Sequence, residues 1–164
     1  MKKVYLICFL MVLFSFPILG QSTAYLQNKA DKIMKGSVFT KIINREIPAT
    51  IVYEDAEIIS FVPLEKQARV HLLIVPKKEI YTINDMGDED IVLLGKMMMV
   101  AKNLAIENGI SETGYRLSIN VNEDSGQSVF HIHMHLLGGN KLGPMVDEAK
   151  LKESFETPQP SIEK

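Results

Sequence analysis

Apolar and polar positions change period several times along this chain, and each change marks an element. Thr50-Ile51-Val52-Tyr53 and Glu57-Ile58-Ile59-Ser60-Phe61-Val62 are β-branched and aromatic runs separated by a Glu54-Asp55 turn, which predicts a hairpin. Arg69 to Val75, closed by Pro76, predicts a third strand. Tyr115 to Val121 and Val129 to Leu137 predict a fourth and a fifth, joined by the polar turn Asn122-Glu123-Asp124-Ser125-Gly126. Between the third and fourth strands lies one long helical pattern, Asp88 to Asn108, with Asp88 as its N-cap and Gly109 as its stop. There Ile91, Leu94, Met98, Ala101 and Ala105 recur at three- and four-residue steps and predict a core-facing stripe. Met97-Met98-Met99 reads as adaptable core packing or a partner-subunit contact. Val38 to Ile43 offers one or two helical turns before Pro48, and Tyr25 to Gly36 is a short helix or a loose tether. The elements predict an α+β fold, an antiparallel sheet of about five strands with one long helix and a short N-terminal helix.

A segment of another kind comes first. Met1-Lys2-Lys3 is basic, Val4 to Leu19 is almost wholly apolar, and Ser22-Thr23-Ala24 supplies the small residues at which signal peptidase cuts. Residues 1–24 read as a signal peptide, making the protein secreted or periplasmic, with a membrane tether formed by an uncleaved signal as the alternative. The 16 residues Val4 to Leu19 fall short of the roughly 20 that span a bilayer, so no stable span is expected after cleavage. The chain then divides into a tether over 25–36, one domain over 37–143 and a C-terminal tail over 144–164. Cys8, the only cysteine, lies inside the signal, so the mature chain has neither thiolate nor disulfide. Loss of Lys2 and Lys3 leaves 16 basic against 20 acidic residues, a net charge of −4. An acidic chain without a basic stripe gives no support to a nucleic-acid partner.

The candidate chemistry sits in Phe130-His131-Ile132-His133-Met134-His135-Leu136 and in a fourth histidine, His71, in the third strand. On a strand His131, His133 and His135 share one face, a row roughly 13 Å long. Neutral imidazole suits nucleophilic attack and proton movement near pH 7. Zinc or copper capture is the rival reading, but i and i+2 histidines stand about 6.6 Å apart along a strand, while bonds of about 2.0–2.1 Å to one ion demand convergence.

Gly126 to Gly139, with Phe39 to Ala49 and His71 to Lys78 upstream, closely resembles the signature of the histidine triad (HIT) family, in particular its Hint-like branch of nucleoside phosphoramidate hydrolases. The likeness covers roughly Ser37 to Gly143. It implies a metal-independent hydrolase without a cofactor, acting on a purine nucleotide or nucleoside phosphoramidate. His133 would attack the α-phosphate to form a nucleotidyl-histidine, oriented by the His131 backbone. His135 would face the phosphate oxygens and His71 complete the polar wall. Ser128 resembles the family serine near the leaving group, Gln127 and the Gly126 amide would donate to the phosphate, and Asn120 would stand at the pocket edge. The alternatives are a dinucleoside polyphosphate hydrolase and a non-catalytic nucleotide- or metal-binding protein. The resemblance also implies a homodimer.

The sequence departs from the family pattern at three places. Pro63 stands where an acid holds the ribose hydroxyls, with Glu65 two residues on as a possible substitute. Lys141-Leu142-Gly143-Pro144-Met145 replaces a Trp-Pro segment, and Ser37 and Thr40 replace the Cys-x-x-Cys of zinc-binding relatives, so no structural zinc is expected.

Overall fold

A computed structural model describes residues 20–145. The signal's apolar run with Cys8, and the tail from residue 146 on, lie outside the described residues. The order is α1 (Thr23–Met34), α2 (Val38–Ile43), β1 (Thr50–Glu54), β2 (Ile58–Val62), β3 (Val70–Pro76), α3 (Ile91–Glu107), β4 (Tyr115–Ser118) and β5 (Met134–Gly138). The strands form one antiparallel sheet in the order β1-β2-β3-β5-β4. This is the expected α+β arrangement.

Local chemistry explains the joints. Asp55 closes the β1–β2 hairpin by accepting the N–H groups of Glu57 and Ile58 at 2.8 and 2.7 Å. α3 stops at Gly109, whose φ of +66° suits glycine, with the Ile110 N–H reaching back to the Ala105 carbonyl.

Strand alternation then sorts the sheet into two faces. Leu72, Ile74, Met134 and Leu136 pack with α3, while Leu73 and Val75 join Phe39, Ile42, Ile59 and Phe61 under α2. His71 and His135 have the parity of Leu73, so both lie on the α2 face. The α3 face carries most of the core and holds the sheet that presents the site.

Three expectations shift. The long helix begins at Ile91, because Asp88–Asp90 forms a 3₁₀ turn; there the Asp90 carboxylate, not Asp88, takes the Gly87 N–H. Its buried stripe is Leu93, Met97, Val100, Ala101, Leu104 and Ala105, leaving Ile91 and Met98 exposed at 65% and 46%. The helix is apolar nearly all round, so period alone could not choose the face. Most of the expected tether, residues 25–34, belongs to a helix whose N-cap, Ser22, falls inside the expected signal; no residue of α1 is buried.

Candidate active site

The strand pair positions two histidines. His71 and His135 occupy the α2 face of β3 and β5, and His71 Nε2 lies 2.9 Å from His135 Nδ1. The Gln67 N–H donates to His71 Nδ1 at 3.1 Å, so the His71 proton sits on Nε2 and is donated to His135. That fixes His135 with its own proton on Nε2, a donor for an incoming phosphate oxygen.

His131 and His133 do not lie on a strand. β5 begins only at Met134, because its partner β3 runs into Pro76, which has no N–H to extend the ladder beyond the Ile74–Met134 pair. Val129 to His133 is irregular chain held by other bonds. The Ile132 N–H donates to the Ile80 carbonyl at 2.7 Å, and the fully buried His131 ring donates from Nε2 to the Pro76 carbonyl at 2.7 Å. Its Nδ1 faces the Thr40 hydroxyl at 3.4 Å. The three rings therefore do not form one even row. His133 and His135 are neighbours, with centroids 5.0 Å apart, and His71 stacks on His135 at 5.2 Å. His131 is anchored in the wall behind them.

His133 Nδ1 donates to the His131 carbonyl at 2.8 Å, which leaves the lone pair on Nε2. The Phe39 ring meets His133 edge-on, with centroids 4.9 Å apart. Burial holds His71, His131 and His133 below the ordinary imidazole pKa, and burial together with charge on His133 and His71 takes His135 to about 4. All four rings are neutral at pH 7. Two of the lone pairs a metal would need are already engaged, at His71 Nδ1 and His135 Nδ1. Among the described residues no three His, Cys, Asp or Glu side chains form a group that could hold a metal ion.

The HIT domain model matches residues 44–142. The chain belongs to the HIT family. A purine nucleoside phosphoramidase of Escherichia coli (strain K12) is 50% identical to it over 110 residues, 67% of this chain and 92% of that protein. A HIT family hydrolase from Legionella pneumophila Philadelphia 1 superimposes with a TM-score of 0.65 at 52% identity, covering 66% of this chain and 96% of that one. A histidine triad protein from Clostridium difficile gives 0.65 at 38% identity, covering 67% and 96%.

Within this HIT domain the remaining site candidates take different places. Ser128 is exposed, and its carbonyl accepts from Lys32 Nζ at 2.9 Å. Gln127 is buried; its amide donates to the Tyr81 and Val129 carbonyls at 2.8 and 3.2 Å, and its oxygen accepts the Asn122 N–H at 2.8 Å. The Gly126 N–H donates to the Glu123 carbonyl at 2.8 Å, with φ +75° at that glycine. Both residues shape the loop that carries Ser128 rather than pointing free donors outward. Asn120 is half-buried just beyond the end of β4, which stops at Ser118 instead of Val121.

Sequence reasoning missed Phe39 and Thr40 as neighbours of His133 and His131, because contacts between α2 and the loop leave no periodic signal. An apolar cavity of about 620 Å³ opens from Phe39 between α2 and the β1–β2 hairpin. Phe39, Ile42, Phe61, Pro63 and Leu73 are among its walls, none of its wall residues is charged, and Thr50 brings the one side-chain hydroxyl. Glu65 is exposed and outside that wall.

Proposed function

We propose that this HIT protein hydrolyses purine nucleoside phosphoramidates through a nucleotidyl group carried on His133. The hydrogen bond from His133 Nδ1 to the His131 carbonyl carries the reading, because it sets the Nε2 lone pair free in a ring kept neutral by burial. Attack by Nε2 forms a P–N bond to phosphorus as the substrate P–N bond breaks. The electron pair leaves on the amine nitrogen, which is hydrogen-bonded by Ser128 and takes up a proton from solvent. Water then attacks the same phosphorus, the pair returns to His133 Nε2, a proton is released, and the nucleoside monophosphate departs. Throughout, His135 Nε2–H meets charge on the phosphate oxygens, held in that tautomer by His71. The base lies in the apolar cavity beside Phe39; a purine is favoured by the activity of the 50% identical relative.

Hydrolysis of adenosine 5′-phosphoramidate with chelator present tests this. Wild type turns over and His133→Ala loses about 10³-fold or more in kcat; turnover surviving in His133→Ala overturns the reading.

We propose further that the protein is a homodimer. β4 is an edge strand, and α3 exposes Ile91, Val92, Met98, Met99 and Ile106, apolar surface suited to a second copy. Sedimentation as a concentration-independent monomer contradicts it. We also propose export by the N-terminal signal. Ser22 caps α1 and bonds Glu123 through both its N–H and its hydroxyl, so cleavage on the N-terminal side of Ser22 preserves the helix, whereas cleavage after Ala24 removes its cap. Fractionation and N-terminal sequencing decide both points.

A further inference from the structure

α1 lies outside residues 44–142, the part of the chain that the family model matches, and buries no residue of its own. Its contacts run along one face at steps of three and four, all to the loop that carries Ser128. Ser22 holds Glu123, the Tyr25 ring meets Phe130 edge-on at 5.6 Å, Lys29 Nζ stands 5.7 Å from the same ring, and Lys32 Nζ donates to the Ser128 carbonyl at 2.9 Å. A cavity of about 350 Å³ separates the C-terminal end of the helix from that loop, with Lys32, Lys35, Ser37, Ser128 and Phe130 in its wall. No carboxylate is among its wall residues. Val38 lines this cavity and the apolar one alike, and the next residue, Phe39, packs on His133. Val38 thus joins the two cavities, and Phe39 beside it carries the apolar one to His133.

We propose that the cavity between α1 and Ser128 is the leaving-group subsite, and that Lys32 and Lys35 make it selective for leaving groups that carry negative charge. The inference rests on the phosphoramidase reading, which puts the nucleoside in the apolar cavity and so sends the departing half toward Ser128. Its chemistry is an anion on the leaving group, a carboxylate on the amine or the phosphates of a nucleotide. Lysine heads at a partly open site provide attraction that salt screens.

The test compares kcat/KM for adenosine 5′-phosphoramidates of phenethylamine and of phenylalanine, which differ by one carboxylate, with diadenosine tetraphosphate as the phosphate-bearing arm. Wild type is expected to favour the phenylalanine adduct about fivefold at low salt, from two partly exposed cations, and the advantage should shrink with added salt. Lys35→Glu, which leaves the Lys32 bond to the loop intact, should cancel or invert the ratio, and Lys32→Met should lower it. The diadenosine arm reports whether phosphates are accepted as well as carboxylates; preference for either anion over phenethylamine supports the subsite. Equal turnover of all three substrates, or a ratio untouched by Lys35→Glu, overturns the proposal while leaving the hydrolase reading intact. A folded protein that hydrolyses none of them overturns that reading and the subsite together.

Discussion

Met134–Gly138, with His135, and Gln127–His133, with His131 and His133, are consecutive stretches, yet they are held in different ways. The first is a strand between β3 and β4, paired on both edges, with Met134 and Leu136 buried against α3. The second has no strand partner and is held mostly by side chains, the His131 ring on Pro76, Gln127 on three backbone groups and Lys32 on Ser128, with the Ile132 N–H on the Ile80 carbonyl as a backbone tie. His133, the proposed nucleophile, stands in the second. Ladder bonds fix a strand to a repeating geometry, whereas a loop tied at chosen points can turn His133 Nδ1 back onto the chain two residues earlier. The strand supplies rigidity and the tied loop supplies the aim.

Substitutions on either side should separate these roles. Leu136→Ala empties a fully buried position and is expected to cost about 2–5 kcal/mol of stability, read by urea denaturation, while kcat per folded molecule stays within about twofold. Gln127→Ala leaves three backbone groups without partners and should cost about 1–3 kcal/mol. Its larger effect falls on chemistry, with kcat lowered about tenfold or more through misplacement of the loop. A Gln127→Ala enzyme with unchanged kcat would refute the division of labour.

The hairpin, the third strand and the long helix were legible in sequence, since alternation and helical period report burial directly, while the place of His71 beside the triad came from the family resemblance. The loop half was not. Its residues alternate like a strand, and only the end of β3 at Pro76 stops the ladder, a long-range effect that local pattern does not register. Gln127 reads as a phosphate donor from its place in the motif, but its bonds depend on where Tyr81 lies in space. The face of α3 was hidden by an excess of apolar residues, and the docking of α1 by contacts made mostly through polar and charged side chains.

Acid should act on both halves at once, by a moderate amount. The four histidines have folded-state pKa values below the unfolded value near 6.5, that of His135 about 4. The unfolded chain therefore binds more protons between about pH 4 and 6.5, and stability rises with pH across that window. Melting temperature should fall as pH is lowered through it, and kcat/KM should be flat from pH 8 to 6.5 with its acid limb below. An acid limb centred above pH 6.5 would mean that the rings are not held neutral as their burial requires.

The smallest expected effect concerns the sugar, and its smallness carries the information. A carboxylate receiving the ribose hydroxyls would favour ribose over 2′-deoxyribose by about tenfold or more, the size of a hydrogen bond to a charged group. Here Pro63 lines the apolar cavity, no wall residue is charged, and Glu65 is turned to solvent. Adenosine and 2′-deoxyadenosine phosphoramidates should thus give kcat/KM values within about threefold of each other. Pro63→Asp should install a preference for ribose, since it sets a carboxylate in the cavity wall. A strong ribose preference in the wild type, unaltered in Pro63→Asp, would instead mean that the sugar is held by a group outside this cavity.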